Sequence, residues 1–492
     1  MNFWLLLPII TPIVLGVLFP FFARKYDANR QKNYLLLSVL LSAALSIFAL
    51  SFGEASLSVF RVNAVIHLSL QVDALGRFFA IVATLTWTLV CIYTLGFDLG
   101  ETRRTRFFSS LLLSYAAIIG ACFSANFFTL FLFYELITLF NYPLIAHKHS
   151  AESTEAGKKY IVYSFLGAGL LIFIAFALIA GFGQSTDFTA GGVFSATSTL
   201  YNAPYLLLFF LLAFLGFGVK AYIWPLFHWV PTVYSVAPAP AAALLSGVGS
   251  KISVLALIRL CFFIFSPELL LGSWVQTLLL CLALLTIFIG SMLAFREKLL
   301  TRRLAYSSVS QLSYVLFGII LLHPIALFAA LLHVLFHAVM KAALFLSAGA
   351  IEQQTNKVYV NEMRGIGKAM PVTLWCFTIA SLALIGIPPT SGFISKVQLI
   401  FGAMSSNHPT LGILGAGILL ISALLTAGYL IPIFASAFFP GVKFKYEELK
   451  PCEANRFMTI PLIILAALSL LLGLFPSVLL DFSSNISTLL FY

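Results

Sequence analysis

Ionisable side chains are rare in the long apolar segments of this 492-residue sequence, and those present are of types that exchange protons. Glu135 is the only acidic residue well inside an apolar segment, where it follows Phe133-Tyr134. Such a carboxylate is either half of a structural ion pair that fixes helix packing or a group that gains and loses a proton. A charge at the centre of a bilayer costs about 2.5–3.5 kcal/mol even on a lenient scale, so we favour the proton-exchanging role.

Lys220 lies near the end of an apolar segment, four residues before Trp224-Pro225. Proline has no N–H and interrupts the hydrogen-bond ladder of a helix. Backbone freed at membrane depth is tolerated only where it is buried or lines a wet cavity. Lys220 is therefore predicted to reach water beside a helix break and to exchange protons there. The alternative is a lysine at a helix end whose amino group reaches the membrane surface.

Lys251 follows the small residues Ser246-Gly-Val-Gly-Ser250 in the next apolar segment, and Arg259 lies two helical turns further on. An arginine holds its proton too firmly to carry it. We therefore expect Arg259 to form a structural pair or to anchor a helix end, and Lys251 to be the proton-exchanging group of this segment.

His333, His337 and Lys341 share one helical stripe because they are spaced by four residues. Imidazoles titrate near neutral pH and suit a proton relay. Two open alternatives are a metal site, which lacks a glutamate or a third ligand here, and a packed pair of hydrogen-bonded core histidines.

Lys396 follows a second break, Gly386-Ile-Pro388-Pro389-Thr-Ser-Gly392. The stretch Gly392-Phe-Ile-Ser-Lys396 matches Gly216-Phe-Gly-Val-Lys220, and the two lie an odd number of predicted spans apart. The two helices then cross the membrane in opposite directions, as in an inverted repeat with a broken helix in each half.

The elements that hold these residues are predicted to be membrane helices. Apolar residues make up 61% of the chain and charged residues only 9%, against about 25% charged in soluble domains. Each span needs about 20 apolar residues. Fourteen segments qualify, near residues 3–22, 33–52, 74–97, 107–125, 127–146, 160–182, 203–223, 241–265, 273–295, 303–322, 325–350, 371–402, 411–438 and 458–480. The fold class is thus an all-α polytopic membrane protein, with alternation in residues 53–72 indicating a small hairpin cap.

Most of the 28 lysine and arginine residues fall in alternate connections, beginning with the one that holds Arg24 and Lys25. The positive-inside rule places these connections in the cytoplasm, so the net charge of +11 does not indicate nucleic acid. With fourteen spans, both termini face the non-cytoplasmic side. We expect peripheral helices 1–3 in residues 1–106, a first repeat in 107–266, a second in 267–440 and helix 14 in 441–492.

No cofactor is expected in this chain. The six cysteines are scattered without a CxxC pair, and no iron–sulfur, zinc or haem spacing is present. The sequence also shows no grouping of a nucleophile with a catalytic base, so enzyme activity within this chain alone is not expected.

The set of motifs resembles the antiporter-like subunits shared by respiratory complex I, membrane-bound hydrogenases and Mrp-type cation/proton antiporters. It comprises Phe-Tyr-Glu135, Lys220 with Trp224-Pro225-Leu-Phe-His-Trp-Val-Pro, Lys251, His333-Val-Leu-Phe-His337-Ala-Val-Met-Lys341, and Gly386-Ile-Pro-Pro…Gly-Phe-Ile-Ser-Lys396. The resemblance covers roughly residues 107–440. Lysine at 396 disfavours the complex I member that has a carboxylate there, and the chain lacks the long lateral helix of the largest member.

The resemblance implies a coupled pair of Glu135 and Lys220, continued as a mid-membrane proton path through Lys251, His333, His337, Lys341 and Lys396. It also implies other membrane subunits as partners in a bacterial or archaeal plasma membrane. The energy source would be either a redox arm with flavin or iron–sulfur proteins or an opposing Na⁺ gradient. Two alternatives remain at this stage: a stand-alone secondary transporter for a small solute, and a non-conducting scaffold subunit. Because no carboxylate cluster suggests a sodium site, protons are favoured over Na⁺.

Overall fold

The structure is a computed structural model that describes residues 2–63, 65–182, 185–194, 203, 205–441 and 451–491. Within these residues helices dominate. In the amino-terminal half they are α1 (Leu7–Ala23), α2 (Ala28–Ser51), α3 (Ala74–Gly96), α4 (Glu101–Cys122), α5 (Phe127–Ile145), α6 (Ala151–Ser164), α7 (Phe173–Gly181), α8 (Tyr205–Lys220), α9 (Trp229–Val236), α10 (Ala239–Leu244), α11 (Ser250–Arg259) and α12 (Pro267–Leu270).

In the carboxy-terminal half the helices are α13 (Trp274–Arg296), α14 (Leu300–Ile320), α15 (Pro324–Thr355), α16 (Ile366–Ala369), α17 (Pro371–Ile385), α18 (Ser391–Met404), α19 (Pro409–Phe438), α20 (Arg456–Leu474) and α21 (Ser477–Phe491). Short 3-10 turns cover Phe3–Leu6, Ala146–Lys148, Leu226–His228 and Val360–Met363. Three π-helical segments cover Phe165–Ile172, Leu245–Gly249 and Leu260–Ile264.

Eleven helices of the described part are long and apolar enough to cross a membrane. Tyr205–Lys220 and Pro371–Ile385 are shorter apolar helices. The most enclosed long helices are α15 and the run Ala239–Ile264. In their most apolar stretches, 89% and 94% of the residues are buried. By contrast, α1 and α2 turn most of their side chains outward. The chain is thus a mostly helical, multi-pass membrane protein, and Lys251, His333, His337 and Lys341 lie buried on its most enclosed long helices.

The two helix breaks predicted from proline, at Pro225 and at Pro388-Pro389, both lie between separate helices. The helix α8 ends at Lys220, and Pro225 lies between it and α9. Pro388 and Pro389 lie between α17 and α18. Gly386 ends α17 with a φ of 90°, a backbone conformation that glycine adopts without strain. A side chain at Gly392 would collide with the carbonyl oxygen of Ala383, so this glycine allows α18 to pack directly against the end of α17.

A two-stranded antiparallel hairpin, β1 (Ala55–Arg61) and β2 (His67–Val72), confirms the cap expected in residues 53–72. Contacts between connections also follow the predicted alternation. On one side Lys148 pairs with Glu352 at 3.7 Å, and the backbone N–H of Asp98 donates to Gln353. On the other, His67 contacts Asp187 at 2.8 Å. Connections predicted for the same face of the membrane therefore contact one another.

Arg259 forms a bidentate ion pair with Asp73, with N···O distances of 2.5 and 2.6 Å. The guanidinium lies over the rings of Phe188 and Phe263, at 5.0 and 4.6 Å from their centroids. Asp73 also caps α3 by accepting from the backbone N–H of Gly76 at 2.8 Å. The structural pair predicted for Arg259 is therefore present, and it ties the end of α11 to the start of α3.

The pair makes stability depend on pH. Burial alone would raise the pKa of the Asp73 carboxyl, but the charge and hydrogen bonds of Arg259 outweigh burial and hold that pKa below its usual value. The stabilisation is therefore present above the usual pKa of an aspartate and is lost as the pH falls through the lowered value.

Replacing Asp73 by Asn should destabilise the protein at neutral pH by on the order of 3 kcal/mol, because the buried Arg259 loses its counter-charge. Thermal unfolding of the purified protein in detergent, followed from neutral to acid pH, measures this. The gap between parent and variant should close as the pH falls. An equal gap at every pH would contradict the role given to the ion pair.

Candidate functional site

Lys220 is buried at the end of α8, with only 6% of its surface exposed. Its amino group donates to the hydroxyl of Thr138 and, at 3.3 Å, to the carbonyl oxygen of Tyr134. It also lies 3.9 Å from the centre of the Tyr134 ring. Two oxygens and an aromatic face, all from α5, thus hold the amino group of α8.

Glu135 follows Tyr134 on α5 but does not form an ion pair with Lys220 within 4.0 Å in the described part of the chain. The residue is partly exposed on the flank of the protein, and its Oε1 atom is buried without a hydrogen-bond partner. The two residues implied as a coupled pair are therefore not in direct contact in this conformation, although their charges interact and both residues sit beside Tyr134.

A small cavity lies between Lys220 and Ser250, also lined by Asn141, Tyr160 and Tyr222. Its volume of about 10 Å³ is close to the smallest space that holds one water molecule, and its walls offer several hydrogen-bonding groups. The hydroxyl of Ser250 in turn accepts from the amino group of Lys251 at 3.4 Å. The cavity thus lies between Lys220 and the serine that Lys251 contacts.

Lys251 lies at the start of α11, directly after the π-helical segment Leu245–Gly249. Its amino group donates to the carbonyl oxygen of Ser246 in that segment and to Nδ1 of His337, at 2.7 Å from the latter. Segments of π-helix often occur at functional sites because they shift the regular backbone hydrogen bonds. Here one such carbonyl holds the lysine in contact with the histidine stripe.

His333 and His337 are both fully buried on α15, with ring centres 5.9 Å apart. Nδ1 of His333 lies 2.9 Å from the hydroxyl of Ser395, the neighbour of Lys396. The Nε2 atoms of both histidines are buried without a partner. No group of three or more His, Cys, Asp or Glu side chains in the described residues could hold a metal ion. The pair therefore links Lys251 to the second helix break.

Lys396 lies on α18, and its amino group donates to the carbonyl oxygens of Leu384 and Ile385 at 2.6 and 3.0 Å. These are the last residues of α17, whose carbonyls have no partner within their own helix. The amino group also lies 5.4 Å from the centre of the Tyr314 ring, which stacks on His333. The second break therefore supplies the oxygens that hold its lysine.

Lys341 points away from this line. Its amino group donates to the carbonyl oxygen of Leu304 at 3.0 Å and to the hydroxyl of Ser307 at 2.7 Å. The hydroxyl of Tyr429 donates to the same Ser307 oxygen at 2.7 Å, and Arg303 donates to the Tyr429 carbonyl at 2.8 Å. The histidine stripe thus has a hydroxyl-lined branch that leads toward the start of α14, the end predicted to face the cytoplasm.

The structure therefore places Lys251, His337, His333 and Lys396 along one line, with a hydrogen bond from Lys251 to His337, ring centres of the two histidines 5.9 Å apart, and a contact of His333 with Ser395, the chain neighbour of Lys396. Lys220 is joined to this line through the small cavity, Lys341 branches from it, and Glu135 stands at its edge. Sequence reasoning missed the neutral groups that contact these charges, namely Tyr134, Thr138, Ser307, Tyr314, Ser395 and Tyr429. The sequence signal for these groups was a hydroxyl-bearing residue in an apolar segment. That signal is not specific, because many packed helices contain such residues.

Comparisons with known proteins identify the family of the chain. The family model for the transmembrane region of NADH:quinone oxidoreductase and Mrp antiporters matches residues 124–426, more than half of the chain. NADH-quinone oxidoreductase subunit N of Desulforudis audaxviator is 30% identical over 426 residues, covering 83% of this chain and 82% of that protein. A Na⁺/H⁺ antiporter subunit of Alkalihalophilus pseudofirmus is 27% identical, and the match covers 99% of this chain and 97% of that protein.

The fold has a close counterpart in a solved Mrp complex from Dietzia sp. DQ12-45-1b. The TM-score is 0.85 at 22% identity, and the match covers 100% of this chain and 98% of the other. At this identity the likeness bears on the fold alone. The sequence matches carry the family assignment: the chain belongs to the NADH:quinone oxidoreductase/Mrp antiporter transmembrane family.

Proposed function

We propose that this chain carries protons across a bacterial or archaeal plasma membrane as the antiporter-like subunit of a larger complex. The observation that carries the proposal is the line of contacts from Lys251 through His337 and His333 to Lys396. These groups are all buried, and they are connected by the Lys251–His337 hydrogen bond, by the facing rings of the two histidines and by the contact of His333 with Ser395, the chain neighbour of Lys396. Relatives named as subunits, of a quinone oxidoreductase and of a Na⁺/H⁺ antiporter, favour this role over a stand-alone solute transporter.

The proposed architecture has about fourteen crossings in two inverted repeats. Supporting it are the paired breaks and the paired motifs that end in Lys220 and Lys396. The glycines of the two motifs have similar surroundings: a Cβ at Gly216 would lie 2.7 Å from the carbonyl oxygen of Gly167, and one at Gly392 would meet that of Ala383. Basic residues in alternate connections support a cytoplasmic location for those connections and a non-cytoplasmic one for both termini.

The proposed mechanism rests on a changing distance between Glu135 and Lys220. Burial disfavours the charged form of an amine, whereas a nearby carboxylate favours it. When Glu135 approaches, Lys220 binds a proton. When the two separate, Lys220 passes the proton through the small cavity to Lys251 and the histidines, and Lys396 exchanges it with the opposite side.

Moving a charge against 100 mV costs about 2.3 kcal/mol, which a partner must supply. The candidates are a redox arm with flavin or iron–sulfur proteins, and an opposing Na⁺ gradient. The proposal gives this chain neither cofactor nor metal, since its own groups exchange only protons.

Replacing Lys220 by Ala should abolish proton transport while leaving the complex assembled, because the variant loses the amine that the α5 oxygens hold. Acidification of proteoliposomes containing the purified complex measures transport, and gel filtration measures assembly. The matched control is Lys25→Ala, which removes an exposed lysine from a connection and should transport normally. Failure of the Lys220 variant to assemble would instead support a purely structural role.

Replacing Tyr429 by Phe should slow transport by about fivefold if protons enter through the Ser307 hydroxyl, since one hydrogen bond of about 1 kcal/mol is lost from the branch at Lys341. The control is Tyr306→Phe, the residue that precedes Ser307 in α14, whose hydroxyl forms no hydrogen bond to the described residues. Equal proton fluxes in the two variants and the parent would rule out this branch as an entry route.

A further inference from the structure

A groove of about 430 Å³ lies between the ends of α1 and α4 that are predicted to face the cytoplasm. It is remote from the line of buried lysines and histidines, and the proposed transport mechanism makes no use of it. Its walls combine two arginines with small and hydroxyl-bearing residues: Pro20, Ala23, Arg24, Thr105, Arg106, Ser109 and Ser110.

Packing around Pro20 shapes this groove. Because proline has no N–H, the carbonyl of Gly16, four residues earlier in α1, receives no bond from it. The hydroxyl of Ser109 on α4 donates to that carbonyl instead. Gly16 permits the close approach, since a Cβ there would lie 3.2 Å from Leu112 and from the backbone of Ser109. The two helices are thus joined at the wall of the groove by Ser109, and the groove opens where α1 ends.

The charge in the groove is unbalanced. The Nε and Nη2 atoms of Arg106 are buried without a hydrogen-bond partner. Within the described residues, neither Arg24 nor Arg106 has a carboxylate within 4.0 Å. The hydroxyls of Thr105 and Ser110 also make no hydrogen bond to any of the described residues. Buried guanidinium nitrogens without a partner are costly, so the groove is suited to an anion that accepts several hydrogen bonds.

The surface below the groove is apolar. Along the outer face of α1, Val14, Val17, Leu18 and Phe21 are between 45% and 63% exposed. A ligand that satisfies both regions has an anionic head at the membrane surface and an apolar tail along α1. Basic pockets between helices on the cytoplasmic side have this character when they bind lipid phosphates.

We propose that the groove between α1 and α4 binds the phosphate of an anionic phospholipid, with Arg24 and Arg106 on the phosphate oxygens and the acyl chains along α1. The bound lipid joins the peripheral helices α1 and α2 to the membrane surface. A soluble phosphate ester shares the headgroup chemistry but leaves the apolar face of α1 uncovered.

Native mass spectrometry of the purified complex, titrated with phosphatidylglycerol in neutral detergent, tests the site. Each arginine near a charged lipid surface is worth about 1 kcal/mol, or about fivefold in affinity. Arg24→Gln/Arg106→Gln should therefore bind the tightest phosphatidylglycerol about 25-fold more weakly than the parent. The single Arg24→Gln change, at an exposed position, should weaken it about fivefold and guards against misfolding of the double variant.

The control is Lys25→Gln/Arg296→Gln, which removes the same charge from the same predicted face outside the groove and should bind the lipid as the parent does. Unchanged lipid affinity in both the single and the double groove variants overturns the proposal. So does displacement of the lipid by glycerol 3-phosphate at equal concentration, which would assign the groove to a soluble phosphate. A photo-cross-link from position 105 to a neighbouring protein rather than to lipid would assign it to that protein and overturn the proposal as well.

Discussion

Four lysine amino groups are buried in this membrane protein, and none has a carboxylate within 4.0 Å among the described residues. An isolated charge in such surroundings is costly, so each amine must either lose its proton or find strong acceptors. Backbone carbonyls and hydroxyls serve as those acceptors for Lys220, Lys251, Lys341 and Lys396. Neutral acceptors ease the burial without fixing the charge, which is what reversible protonation requires.

This constraint accounts for two of the interruptions in the helices. Inside a continuous helix a carbonyl is already bonded by its own helix, so it is only shared with a lysine, as Tyr134 shares with Lys220 and Leu304 with Lys341. The end of α17 leaves the carbonyls of Leu384 and Ile385 for Lys396, and the π-helical segment before α11 leaves that of Ser246 for Lys251. The irregular backbone and the buried amines therefore depend on each other. Arg259 shows the contrast, because its fixed charge is paired directly with Asp73.

Much of the architecture was predictable because it follows from local composition. Long apolar runs, prolines within them and the alternation in residues 53–72 indicate helices, interruptions and a hairpin without knowledge of distant contacts. The same holds for the candidate residues, since a lysine or histidine in an apolar run is conspicuous. The spacing of His333 and His337 likewise placed both on one face of α15.

The partners of those residues were not predictable, because they come from distant parts of the chain. The sequence does not reveal that Lys251 contacts His337, that Tyr429 meets Ser307, or that Lys341 points away from the histidine line. Nor does it indicate that Glu135 and Lys220 are not in direct contact in this conformation. These contacts depend on helix rotation and crossing, which the packing of many side chains determines together.

The central claim is that the buried lysines form one proton path rather than separate packing devices. Lys251 tests it most directly, because it contacts both Ser250, on the wall of the small cavity beside Lys220, and His337. Proton flux should be measured in proteoliposomes that contain the assembled complex with Lys251 replaced by Met, whose unbranched side chain is one atom shorter and cannot bind a proton. The account predicts loss of flux in a complex that assembles normally. Undiminished flux would contradict it, since protons would then cross without passing Lys251.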